Sequence, residues 1–199
     1  MPPQATTGMR RFSIAAILLC LCAVATARAG EAKPSVRTEY DIKAAFLYKF
    51  ALFVEWPAAT FAADDSPFTV GVLGDDPFGS RLEAVVGGKK VRGRPIRFRR
   101  FTAIEQVLSA PCQLLFVSTS ERDRVSRIVS ALEASPILTL GDTDGYAEAG
   151  VAINLVVLDH GVKFEINPAA VKRAQLRIPS QLMDLALATK QRRPKEGVP

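Results

Sequence analysis

The sequence predicts a single α/β domain: a mixed, mainly parallel sheet flanked by helices, with an antiparallel C-terminal hairpin. Three observations predict it. Short apolar runs at Phe68–Leu73, Gln113–Val117 and Ile137–Leu140 alternate with helical patterns, the signature of crossover units and parallel pairing. The pattern then changes to two strands, Val151–Leu158 and Val162–Ile166, around Asp159-His160-Gly161, a hairpin signal. The chain has 199 residues, 48% hydrophobic and 23% charged, which suits one domain with a proper core and excludes a disordered chain.

Residues 1–29 read as an export signal outside the fold. Met9-Arg10-Arg11 is a basic start, Phe12–Thr26 is an apolar run too short to span a bilayer comfortably, and Ala27-Arg28-Ala29 offers small residues where signal peptidase reads. Sec-type export with cutting before Gly30 is expected, and with it a periplasmic location. Removing the signal takes away Arg10, Arg11 and Arg28 and no acid, so the net charge of +6 falls to +3. Two of three cysteines leave with it.

Residues 30–37 are a polar lead-in, and residues 38–189 form the domain. Thr38 is placed to cap a helix, with Asp41 three residues on. That helix is expected over Glu39–Glu55, where Ile42, Ala45, Phe46 and Phe50 share a face at helical spacing, and Pro57 stops it after Trp56. Strand Phe68–Leu73 ends in Gly74-Asp75-Asp76-Pro77, where Asp76 can cap a helix running to about Val86. Val91–Pro95 is a turn. Ile96–Phe101 intersperses apolar residues with arginine, as a half-buried strand does. A short helix is expected at Ala103–Ser109, then strand Gln113–Val117, a helix capped by Ser120 and reaching about Ala134, and strand Ile137–Leu140. Gly141–Gly150 is turn-rich, with a short helix at Tyr146–Ala149. After the hairpin, Pro168 opens a helix to about Ala174 and Ser180 opens the last one, Gln181–Ala188. The tail from Lys190 is polar.

In such a sheet ligands sit at the carboxyl ends of strands. The residues there are Asp75, Asp76, Ser118, Thr119, Ser120, Asp142, Thr143 and Asp144. Paired acids after a first strand would suit a phosphoacceptor site, but the strand that should end in the acceptor ends Phe116-Val117-Ser118. Gly74–Gly79 lacks the glycine spacing of a dinucleotide loop. No Walker loop, G-x-S-x-G or Cys–His arrangement is present, and no cofactor or metal is implied. Ser118, Thr119, Ser120 and Asp144 form the one loop set suited to an anion or small ligand, with helix capping the competing explanation for Ser120. His160 belongs to the hairpin turn. Lys89–Arg100, KKVRGRPIRFRR, holds seven basic residues in twelve. In an exported protein it is the solvated face of a hairpin rather than a nucleic-acid site. Cys112, a free thiol, starts a buried strand, and core burial is its default.

The stretch Thr38–Ala59, TEYDIKAAFLYKFALFVEWPAA, resembles the opening helix of the YfiR family. The likeness continues through Val72–Gly79, Val91-x-Gly93-Arg94-Pro95, Gly145-Tyr146-Ala147 and Ile153-Asn154-Leu155, and closes with Phe164-Glu165-Ile166-Asn167, Ala174 and Gln181–Ala186. The resemblance implies a compact α/β domain without catalytic activity. It implies a partner, the periplasmic sensor region of an inner-membrane diguanylate cyclase, which such proteins hold inactive. Cyclic-di-GMP output, biofilm and motility then respond to conditions outside the cytoplasm. Family members can form homodimers, and disulfides tune the founding repressor. Relatives often carry a Cys where this chain has Gly71, partnered with the Cys that aligns with Cys112, so an internal redox switch is not expected here. Phe164, Ile166, Leu176, Ile178 and Leu182 are the candidate partner contacts, with core packing as the competing reading. A small-ligand or anion-binding receptor using Ser118–Ser120 and Asp142–Asp144 is the alternative function.

Overall fold

A computed structural model describes residues 36–158 and 161–187. The expected signal segment, most of the lead-in, the Asp159–His160 turn and the tail from Lys190 lie outside the described residues, as does the Thr38 side chain.

Helix α1 (Val36–Phe53) begins two residues before the expected cap and ends two before the expected Glu55. Strand β1 (Phe68–Leu73) follows, then α2 (Ser80–Val86), β2 (Lys90–Val91), β3 (Arg94–Phe101), α3 (Ile104–Leu108) and β4 (Leu114–Val117). A 3-10 helix at Thr119–Arg124 leads into α4 (Val125–Ala131). Strand β5 (Leu138–Gly141), the β6 (Ile153–Leu158) and β7 (Gly161–Ile166) hairpin, α5 (Pro168–Arg173) and α6 (Ser180–Asp184) complete the chain.

The seven strands form one sheet in the order β2-β3-β1-β4-β5-β6-β7. The pairs β3·β1, β1·β4, β4·β5 and β5·β6 are parallel, and β6·β7 is the expected antiparallel hairpin. A second antiparallel edge appears where the sequence suggested only a turn: Lys90 and Val91 pair with Pro95 and Arg94. That turn uses Arg92 at φ 50 and Gly93 at φ 84.

Strands β1 and β4 are buried at every position. Because side chains alternate across a strand, such strands need cover on both faces. On the first face Phe68, Val70, Val72, Leu114 and Phe116 pack beneath α1, which contributes Leu47 and Phe50 with Val54 just past its end, and beneath α2. On the second face Leu73, Leu115 and Val117 meet α3 through Val107 and α4 through Val125 and Ile128. Trp56 closes the end of the first layer. Its ring stands edge-on to Phe68 at 4.9 Å and its Nε1 donates to the Gln113 carbonyl at 3.1 Å.

Several local expectations are corrected. Asp76 does not cap α2, whose N-cap is Gly79. Its Oδ1 instead accepts the Phe78 N–H at 2.8 Å, closing the turn that precedes the helix. Ser120 does not cap a helix either, because the 3-10 helix starts one residue earlier with Ser118 at its N-cap. Tyr146–Ala149 forms turns rather than a helix. Asn167 bonds the backbone through both ends of its side chain: Oδ1 accepts the Ala170 N–H at 3.0 Å to cap α5, and Nδ2 donates to the Ala147 carbonyl at 2.8 Å.

Asn167 therefore ties the last helix pair to the loop after β5. Asn167→Ala is expected to cost about 2 kcal/mol, the sum of a lost cap and a lost buried donor. Asn167→Asp keeps the cap alone and should fall between. Urea midpoints of the three proteins check this order.

Candidate functional site

The chain leaves β1 toward β2 and β3 on one side and leaves β4 toward β5 on the other, so the sheet's switch point lies between β1 and β4. The loops leaving β1, β4 and β5 converge there. Gly74 opens the first with φ 87, and a Cβ on it would collide with the Ser120 hydroxyl and come within 2.9 Å of Glu121 Oε1. Only glycine fits, and its absence of side chain lets the two loops touch. Ser120 Oγ accepts the Asp75 N–H at 2.9 Å. Thr119 Oγ1 and Thr143 Oγ1 share a hydrogen bond at 2.7 Å. Ser118 is buried, and its carbonyl accepts the Tyr146 hydroxyl at 2.8 Å. The Tyr146 phenol is pushed up from its ordinary pKa, chiefly by burial.

The structure thus brings Ser118, Thr119 and Ser120 together with Asp75 and Thr143, while Asp144 stands exposed. The Thr119 and Ser120 hydroxyls are occupied by neighbouring loops. A ligand held there would have to displace those bonds.

Sequence reasoning missed the main polar feature of this edge. Lys43 on α1 reaches down to Asp142 at the end of β5, Nζ to Oδ2 2.7 Å, with both side chains 3% exposed. Tyr40 donates to the same oxygen at 2.9 Å, and Glu39 pairs with Lys43 from the preceding turn. Burial and the Asp142 carboxylate both push the Tyr40 phenol well above its ordinary range. The Tyr40 ring stands edge-on to Phe78 at 5.4 Å. Asp142 Oδ1 is buried without a partner among the described residues. One signal was available: Lys43 lies on the same helical face as Phe46, Leu47 and Phe50, so a charge interrupts an apolar stripe. The cluster clamps α1 to the sheet. Among the described residues no group of three or more His, Cys, Asp or Glu is placed to hold a metal ion.

Cys112 is buried on the second face. Its thiol donates to the Leu114 carbonyl at 3.4 Å and is pushed up to about 12 by burial, with Arg99 and two backbone hydrogen bonds opposing. A Cβ built on Gly71 would lie 3.1 Å from Cys112 Sγ, about the spacing of a disulfide-bonded pair. It would also lie 2.6 Å from the Phe101 ring. Phe101 has filled the space that a partner thiol would need.

The candidate partner contacts divide. Phe164, Ile166 and Leu176 are buried at 6%, 3% and 5% exposure and belong to the first-face core, which corrects their placement on a docking surface. The reason is α1: Phe46 and Phe50 cover Phe164 with ring centroids 5.8 and 5.2 Å away. Ile178 and Leu182 are half-buried, and Leu185 beyond them is 70% exposed. The segment that carries them returns to the sheet, with Leu187 N–H donating to the Phe164 carbonyl at 2.8 Å beside the edge strand.

A protein-family model described as YfiR/HmsC-like matches residues 40–187. No curated protein matches the chain. Two of the solved structures it is similar to are the ABC domain in complex with L-Trp from Streptococcus pneumonia and a conserved domain protein from Vibrio cholerae. The first is 11% identical with a TM-score of 0.48, covering 71% of this chain and 58% of that one. The second is 13% identical with a TM-score of 0.47, covering 61% and 54%. The chain therefore spans little more than half of either solved chain.

Removing one member of the buried pair leaves the other charge uncompensated. Lys43→Met is expected to cost about 3–5 kcal/mol, and Lys43→Met with Asp142→Leu to recover most of it, read as urea midpoints. Cys112 should resist alkylation at pH 8 in the native protein and react at once in denaturant. A raised thiol pKa favours the folded state below the ordinary thiol range. That contribution should therefore decline as pH climbs from there toward about 12, which alkaline unfolding of Cys112→Ala against the parent would show.

Proposed function

The chain belongs to the YfiR/HmsC-like family, and on that membership we propose that it is a non-catalytic regulatory protein of the periplasm. It binds the periplasmic sensor region of an inner-membrane diguanylate cyclase and holds the enzyme inactive, lowering cyclic-di-GMP signalling. The observation that carries this reading is the extent of the match, residues 40–187, which spans nearly all of the described fold from α1 to the bridge at Leu187. The export signal read in residues 1–29 supports the compartment. No helix among the described residues is long and apolar enough to cross a membrane.

Repression by binding needs no chemistry from the repressor. It needs a higher affinity for the inactive sensor than for the active one. Shifting a two-state partner from mostly on to mostly off takes a preference on the order of 10⁴-fold. The surface offered for that contact is the C-terminal segment bearing Ile178, Leu182 and Leu185. Ile178 and Leu182 are half-buried, so each keeps an apolar face for a partner while its other side is anchored. Exposed apolar side chains at such a position fit a protein contact.

Leu182→Glu and Leu185→Glu are expected to fold as the parent does and to weaken co-purification with the periplasmic segment of a membrane diguanylate cyclase from the same genome. The loss should be about tenfold or more in affinity, the typical effect of truncating a central contact, with a matching rise in cellular cyclic-di-GMP. Folded variants that repress normally would remove the C-terminal segment from the interface. Absence of any binding by the parent to such segments would remove the regulatory reading itself.

A further inference from the structure

At the end of the sheet opposite the loop cluster, the second face is left open. The register sets Thr69 beside Arg97 and Gly71 beside Arg99, so both arginines project from one face of β3. Together with Thr60, Phe61 and Gln113 these side chains line a cavity of about 270 Å³. A turn of chain from Thr60 to Pro67 forms one wall and Pro111 another.

Several of the side chains lining the cavity are donors without a full complement of partners among the described residues. Among the described residues neither the Arg97 nor the Arg99 side chain makes a hydrogen bond or ion pair, although the Arg99 guanidinium lies over the Phe101 ring at 5.1 Å. Their neighbours on the same hairpin are committed. Arg94 donates to the carbonyls of Ala63 and Ser66, Arg100 pairs with Asp76 and Glu83, and Arg92 reaches the Val54 carbonyl. Thr60 Oγ1 is shielded from solvent and has no partner among the described residues. Gln113 has its oxygen fixed by the Thr69 N–H at 2.7 Å, which turns its amide hydrogens the other way. No Asp or Glu lines the cavity.

We infer that this cavity is a binding site for a small organic anion, a carboxylate or phosphate attached to an apolar group. Two unpaired guanidiniums on one strand face suit a bidentate oxyanion, which Arg recognises better than Lys does. The Phe61 ring and the two prolines provide an apolar wall for the rest of the molecule. A space of about 270 Å³ suits a small molecule. Enclosure by the Thr60–Pro67 turn favours a small molecule over an extended acidic surface. The site lies apart from the C-terminal segment and stands whether or not that segment docks a cyclase.

The test is titration calorimetry on the mature chain at low salt with inorganic phosphate, phenyl phosphate and benzoate. Saturable binding of phenyl phosphate or benzoate in the millimolar range or tighter is expected, with inorganic phosphate weaker for want of the apolar contact. A preference between the first two identifies the anion class. Arg97→Gln with Arg99→Gln should weaken the tighter probe by about tenfold or more, while Lys172→Gln on α5 leaves it unchanged. Thermal unfolding of the double variant shows that the fold is kept. No saturable binding by any probe, or equal binding by the double variant, would overturn the assignment.

Discussion

Strands β1 and β4 lie at the centre of the sheet with both faces covered, and the rest of the molecule follows from that burial. A strand apolar on both sides cannot face water on either, so the chain must lay one helical layer over each face. Helices α1, α2 and α5 take the first and α3 and α4 the second. The short connections leave little freedom in how those layers are reached. The loops at the carboxyl ends of β1, β4 and β5 then have to meet one another, which is why Gly74 lies against Ser120 and Thr119 against Thr143.

Burial on that scale forces the polar groups inside it to find partners. Lys43 and Tyr40 both donate to Asp142 Oδ2 where α1 crosses the end of β5, and Oδ1 is left without a partner among the described residues. Gln113 joins β1 to the Trp56 layer, accepting from Thr69 through its side chain and from Trp56 through its carbonyl. Thr139 accepts the Ala152 N–H at 2.9 Å and so aligns β6 against β5. Each pairing carries specificity more than stability, because an apolar substitute for both partners would cost little while loss of one costs much.

The basic hairpin illustrates how one composition divides by geometry. Seven cations in twelve residues read as a single solvated face. In the structure three of its arginines are spent on turns and acids, and two remain free over a cavity. Cys112 shows the converse. An internal disulfide at Cys112 would need a second sulfur, and here Gly71 and the Phe101 ring occupy that place.

The order of strands and helices, the hairpin at β6 and β7 and the covering role of the first helix were all legible in the sequence, because each is written in local periodicity and turn residues. Short-range signals also located Ser118–Ser120 and the family's motifs. What the residues do to one another was not legible. Asp76 and Ser120 have capping chemistry, and only the tertiary arrangement sends them to a turn and to the neighbouring loop. Phe164, Ile166 and Leu176 read as core or as contact surface until the first-face core is seen to enclose them. Lys43 and Asp142 lie 99 residues apart, and no local pattern pairs them. Periodicity tells which face of an element is apolar. Which other element meets that face depends on how the whole sheet is ordered, and that is decided only when the chain closes on itself.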